Sequence, residues 1–109
     1  MTVSEMAAAL SLTPVSVVEG DRDCCGVYIG DLLSWVMGRA KSGNVWITIM
    51  SNINIVAVAS LADVACIVLA EGVELDESVR ATAEQKGVNI YTSEMTAYEL
   101  AAKLASLKL

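Results

Sequence analysis

The sequence predicts an α/β domain of three layers, a mostly parallel sheet of about five strands with helices on both faces. Short, nearly continuous apolar runs, "GVYI", "VWITIM", "ACIVLA" and "VNIYT", alternate with helix-length segments from residue 26 onward, and strands buried on both faces read this way. Glycine, aspartate, asparagine or serine bounds each of those segments, and these are residues that start and stop helices. A chain of 109 residues that is 55% hydrophobic and 18% charged has material for one core rather than two, so one domain over residues 1–109 is expected.

The elements follow in order. "MTVSEMAAALSL" is a helix, with Val3, Met6, Ala7 and Leu10 at helical spacing and Thr2 or Ser4 as N-cap. Thr13-Pro14 stops it, because the residue before a proline avoids the α region. "VSVVEG" is then a β-branched strand, and "DRDCC" leads into the strand "GVYI". In "GDLLSWVMGRAKSGN" Asp31 is expected to cap a helix striped by Leu32, Leu33, Val36, Met37 and Ala40, with Lys41 in the last turn and Gly43 as the stop. "VWITIM" is a strand and "SNINIVAVASLAD" a helix of small and apolar residues. "ACIVLA" is the next strand, "DESVRATAEQKG" an amphipathic helix closed by Gly87, "VNIYT" a strand and "SEMTAYELAAKLASL" the last helix. Right-handed crossovers should join the parallel strands.

Several classes of function lose their requirements. The chain has no histidine, which removes the commonest general base, the Ser-His and Cys-His nucleophile pairs and the usual zinc sites. No GxxxxGK[ST] phosphate loop and no GxGxxG after a strand is present, so neither catalytic residues nor a cofactor are expected. A net charge of −6 with only seven scattered basic residues argues against nucleic acid. Apolar runs of about six residues fall far short of the ~20 that span a bilayer, and the N-terminal stretch carries Glu5 and no basic region, unlike a secretory signal. A cytoplasmic location is expected, with Cys24, Cys25 and Cys66 as reduced thiols. The vicinal pair in "DCCG" is not expected to hold a metal, since neighbouring side chains rarely converge on one ion. The chain is more apolar than a small monomer needs, which points to an oligomer or a protein partner.

What remains is the crevice beyond the carboxyl ends of the strands, where backbone N–H groups open each following helix. Ser51, Asn52 and Asn54, short hydrogen-bonding side chains before an otherwise apolar helix, are the leading ligand candidates for a small anion or nucleotide. Glu71, Gly72 and Asp31 share that edge. Capping is the competing role for Asn52 and Asn54, and above all for Asp31, whose charge repels an anion but suits the helix dipole. Trp35 sits one position off its helix stripe, either widening the buried face or contacting another copy, whereas Trp46 belongs to a strand and the core. Ala57 and Ser60 lie on the small-residue helix, which packs on the sheet or against a second helix in a dimer.

The stretch "GVYIGDLLSWVMGRAKSGNVWITIMSNINIVAVASLADVACIVLAEGV" resembles the DRTGG domain, a family found attached to CBS domains, including those of regulated pyrophosphatases, and as short stand-alone proteins. The resemblance runs from about Glu5 to Leu104 and is most specific from Gly26 to Gly72. It implies an α/β fold, a cytoplasmic homodimer and a regulatory role. The pattern in the family's name falls after the "VWITIM" strand and at the end of the next, where this chain has Ser51-Asn52 and Ala70-Glu71-Gly72; only Gly72 keeps it. The fold is also similar to the N-terminal, non-kinase domain of HPr kinase/phosphorylase, but the phosphate loop and histidine of the kinase domain have no counterpart. The expectation is a non-enzymatic homodimeric regulatory module that senses a small anionic ligand. The alternatives are an adaptor subunit docked on a metabolic enzyme and a small enzyme working through Asp31, Glu71 or a cysteine.

Overall fold

A computed structural model describes residues 1–109. The order is α1 (Val3–Ala9), β1 (Thr13–Ser16), β2 (Val27–Ile29), α2 (Leu33–Arg39), β3 (Val45–Thr48), α3 (Asn54–Ala62), β4 (Cys66–Leu69), α4 (Glu77–Lys86), β5 (Ile90–Thr92) and α5 (Ala97–Ser106). The strands form one sheet in the order β1-β5-β4-β3-β2, in which β2 to β5 are parallel and β1 is antiparallel to β5. The expected three-layer, mostly parallel architecture is the one observed.

Because β2, β3, β4 and β5 are neighbours in chain order, successive right-handed crossovers step the same way across the sheet and lay α2, α3 and α4 on one face. Helices α1 and α5 cover the other. Side chains alternate accordingly. Trp46, Ile67, Leu69 and Ile90 pack with Val36, Ile55 and Val79 under the three-helix layer. Val45, Ile47, Cys66, Val68 and Tyr91 pack with Met6, Leu100 and Leu104 on the other side.

Local chemistry sets the ends. Thr2 and Glu5 form a capping box for α1, and Thr96 and Glu99 form one for α5, each satisfying N–H groups that a first turn leaves open. Gly87 closes α4 in the left-handed region at φ 72°, as expected of its position. Two expectations need correction. Pro14 does more than stop α1: it lies inside β1, which begins at Thr13 and ends at Ser16. An edge strand tolerates a proline, and beyond Ser16 the N–H groups of Val18 and Glu19 turn to the side chain of Asn89 instead of a ladder. Gly43 is also not the stop of α2, which ends at Arg39 with Ala40 extended; Lys41 therefore lies beyond the last turn, and Gly43, at φ 83°, shapes the turn into β3.

The three thiols are free, Cys24 and Cys66 buried and Cys25 exposed. A hydrogen bond between the buried pair lowers the pKa of Cys24 and raises that of Cys66, and burial pushes Cys66 up further. No helix is long and apolar enough to cross a membrane.

Asn89 ties the core together. It is 2% exposed. Its Oδ1 accepts from Val18 N and Glu19 N at 2.9 Å each, and its Nδ2 donates to the carbonyls of Glu19 and Ala65 at 3.0 and 3.1 Å. Asn89→Ala strands two donors and two acceptors at once, and should cost about 2–4 kcal/mol in urea denaturation. A loss below about 1 kcal/mol would mean that the 17–19 segment is held by something else.

Candidate functional site

The carboxyl edge of the sheet is formed by the loops that leave β2, β3, β4 and β5. Asp31, in the first, does not cap α2. Leu32 occupies the N-cap position and no side chain caps that helix. One oxygen of the Asp31 carboxylate instead accepts from the Thr48 hydroxyl at 2.8 Å and from Ile49 N at 3.0 Å. The end of β3 offers two donors at once, a better partner than a single first-turn N–H, so the side chain ties two strand ends together.

In the second loop Asn52 Oδ1 accepts from Asn54 N at 2.9 Å. Ile53, not an asparagine, occupies the N-cap position of α3, and no side chain caps it. Asn52 thus shapes the turn before the helix, and Asn54 is its first residue. The N–H groups of Ser51, Asn52 and Ile53 donate to no protein acceptor. Ser51, Asn52 and Asn54 are all exposed.

The third and fourth loops meet where the sheet changes the face it sends its helices to. Helix α4 follows β4 onto one face and α5 follows β5 onto the other, and an open sheet offers its ligand crevice at such a divergence. Here backbone pairing closes it: Glu71 N donates to Met95 O and Gly72 N to Ser93 O, both at 2.8 Å. Ala70 to Val73 form a tight turn closed by Val73 N on Ala70 O at 3.3 Å, with φ 58° at Glu71 and 71° at Gly72, the type I′ form that favours glycine at both central positions. A Cβ on Gly72 would also fall 2.6 Å from a Glu94 carboxylate oxygen. The N–H groups of Glu71 and Gly72 are therefore engaged, while the Glu71 side chain is exposed. Asp31, Glu71 and Glu94 give this edge acidic character, with no lysine or arginine in its four loops.

A second feature runs down from that edge. Helices α3 and α4 leave a hollow of about 330 Å³ between them, with apolar walls from Ile53, Val56, Ala57 and Leu61 and polar groups from Asn54, Ser60, Thr82 and Lys86. It joins Asn54 to Ala57 and Ser60, residues that the sequence suggests for two different purposes. Thr82 and Lys86 escaped the sequence reading. They stand four residues apart and so share one flank of α4, but only the crossover brings that flank to α3. No carboxylate pairs with Lys86.

Trp35 lies away from this hollow. It is 52% exposed, with the Arg39 guanidinium 3.7 Å above its ring, so the core reading of Trp35 does not hold. Trp46 is fully buried and donates from Nε1 to Gly30 O at 2.9 Å. No group of three or more His, Cys, Asp or Glu side chains is placed to hold a metal ion.

Comparison with known proteins agrees with this architecture. The family model for the DRTGG domain matches residues 30–107, and the chain belongs to that family. No curated protein matches it significantly. Among solved structures it is similar to the CBS and DRTGG domains of the regulatory region of Clostridium perfringens pyrophosphatase, a structure complexed with the activator diadenosine tetraphosphate. The TM-score is 0.73 at 11% identity, over 94% of this chain and 45% of that one. The chain thus spans less than half the length of that neighbour.

The turn at Glu71 and Gly72 gives a direct test. A non-glycine residue in the left-handed region costs about 1–2 kcal/mol. Glu71→Gly should therefore raise stability by about 0.5–1 kcal/mol, once the extra freedom of the unfolded chain is counted. Gly72→Ala should lower it by about 1 kcal/mol or more, since the Glu94 carboxylate can swing aside but the backbone cannot. Urea midpoints of the two variants measure both effects.

Proposed function

We propose that this DRTGG domain is a non-catalytic regulatory module, a homodimer in the cytoplasm that takes a small anionic ligand of nucleotide size and passes its occupancy to an enzyme partner. The observation that carries the ligand part is the hollow between α3 and α4. Its volume of about 330 Å³ lies at the lower end of the range usual for small-molecule sites, and such sites combine apolar walls with a few placed polar groups. Ile53, Ala57 and Leu61 suit a flat apolar group. Asn54, Ser60 and Thr82 supply hydrogen bonds, and the unpaired ammonium of Lys86 supplies the charge an anion needs. The upper end of the hollow is the start of α3, where the free N–H groups of Ser51, Asn52 and Ile53 can donate to a polar group at the other end of the ligand.

The regulatory part is supported by family membership and by the neighbour, whose matching portion lies in the regulatory region of a pyrophosphatase. Non-catalytic action is supported by how the carboxylates are placed: Asp31 serves two strand-end donors, and Glu71 stands exposed on a closed turn. Three free thiols, Cys25 among them exposed, suit a reducing compartment.

A thermal-shift titration with AMP, ATP and inorganic phosphate tests the ligand. A ligand at 100 times its dissociation constant adds ~2.7 kcal/mol, roughly 10 °C for a domain of this size. The shift should appear with a nucleotide and weaken at least tenfold in apparent affinity in Lys86→Ala, with a further loss in Asn54→Ala. No shift with either nucleotide at millimolar concentration would sink the ligand reading. A shift that survives both substitutions would move the site away from the hollow.

A further inference from the structure

We infer that the free edge of β2 is the surface through which two copies of this chain join, by antiparallel pairing of β2 with the partner's β2 into one sheet of ten strands. This rests on the homodimer reading proposed above and specifies its surface.

The two edges of the sheet are treated differently. At one, β1 carries Pro14 and a shift of register before Ser16, features that discourage a further strand. At the other, β2 reads Val27-Tyr28-Ile29 with neither a charge nor a proline. Its ladder to β3 uses Gly26 O, which accepts from Val45 N at 2.9 Å, and Gly30 N, which donates to Ile47 O at 3.2 Å. Alternation then turns the N–H and C=O groups of Val27 and Ile29 outward. A two-fold axis through Tyr28 sets Val27 opposite the partner's Ile29 and Ile29 opposite the partner's Val27, so that four backbone hydrogen bonds close and no outward group of the strand is left over.

The flanking surface fits the same partner. Leu32 and Trp35, at the start of α2 and on it, are 59% and 52% exposed, and Ile29, which by alternation shares the opposite face of the sheet with Val27 and Ile47, is 48% exposed, so apolar side chains flank the strand on both faces, where pairing would bury them. A right-handed β2-α2-β3 connection with Val36 facing the sheet turns the flank of α2 that bears Trp35 and Arg39 away from α3 and toward the free edge. With strands ~4.8 Å apart, two α2 helices related by that axis lie about 10 Å from each other, the ordinary packing distance of helices. The two Trp35 rings fill the gap. The helices run antiparallel, so Arg39 at the end of one α2 faces the partner's Asp31 before the other. The second oxygen of that carboxylate is not used within its own chain.

Sedimentation equilibrium at micromolar concentration is run on the full chain and on Ile29→Pro and Ile29→Lys. The N–H of Ile29 lies outside the ladder to β3, so the proline removes an intermolecular donor without breaking the protomer; the lysine is an independent edge guard. Amide exchange of the unaltered chain gives a readout without substitution. The expected result is a dimer that becomes monomeric in both variants with an unchanged circular-dichroism spectrum, and protection of the Val27 and Ile29 amides that is lost on dilution below the dissociation constant. A dimeric chain whose folded variants stay dimeric, or whose Val27 and Ile29 amides exchange freely in the dimer, overturns the edge pairing and leaves the homodimer reading standing. A monomer at all concentrations overturns both.

Discussion

The handedness of the β-α-β connection is the constraint on which the rest of the molecule depends. A right-twisted strand feeding a right-handed helix returns to the sheet on one side only, and β2, β3, β4 and β5 stand in chain order. Three crossovers in the same direction must therefore stack α2, α3 and α4 on a single face. From this follow the adjacency of α3 and α4 that creates the hollow, the position of α2 at the outer end of its layer, and the strand edge left beside it. The opposite face would be bare without α1 and α5. Residues at both ends of the chain, Met6 at one and Leu100 and Leu104 at the other, complete a core with the inner strands that neither end could form alone.

Polar side chains hold the irregular segments to that frame. Asn89 receives the chain leaving β1. Asn44 does the corresponding work beside β2, with Nδ2 on Cys25 O at 2.8 Å and Oδ1 accepting from Lys41 N at 2.9 Å. Both are buried at the amino ends of parallel strands, where a loop without secondary structure would otherwise leave its backbone groups unpaired inside the protein. At the carboxyl ends Asp31 plays this part from a more exposed position. Two strand ends that diverge toward opposite faces, those of β4 and β5, are held by main-chain bonds instead.

Burial patterns made much of this fold legible in the sequence, and tertiary partners account for what was not. The runs that became β3 and β4 are almost wholly apolar because every position is buried, both faces being covered, and a glycine after an amphipathic segment has few roles other than the one Gly87 takes. Asp31 before Leu32 matches a helix cap in every local respect. Its real partner, Thr48, lies 17 residues away on the neighbouring strand, and no local pattern announces it. Trp35 reads equally well as core or contact because its helix has a narrow buried stripe, with Val36 its one buried residue. Asn54, Ala57 and Ser60 were legible one at a time, but Lys86 could join them only once the direction of the crossovers was known.

Electrostatics then separates the two places where a ligand could sit. The carboxyl edge offers open N–H groups at Ser51 to Ile53, but its charged side chains are acidic, so an anion bound there alone would meet repulsion from Asp31, Glu71 and Glu94. The hollow begins at the same helix end and descends to Lys86, which is unpaired and set at the far end of α4 from the acidic residues Asp76 and Glu77. An extended anionic ligand can place one polar group near the α3 terminus and its charge near Lys86, and so avoid the acidic loops that would repel a compact one such as phosphate. On the ligand reading proposed above, length and an apolar middle, more than charge alone, are what the α3–α4 surface would select for.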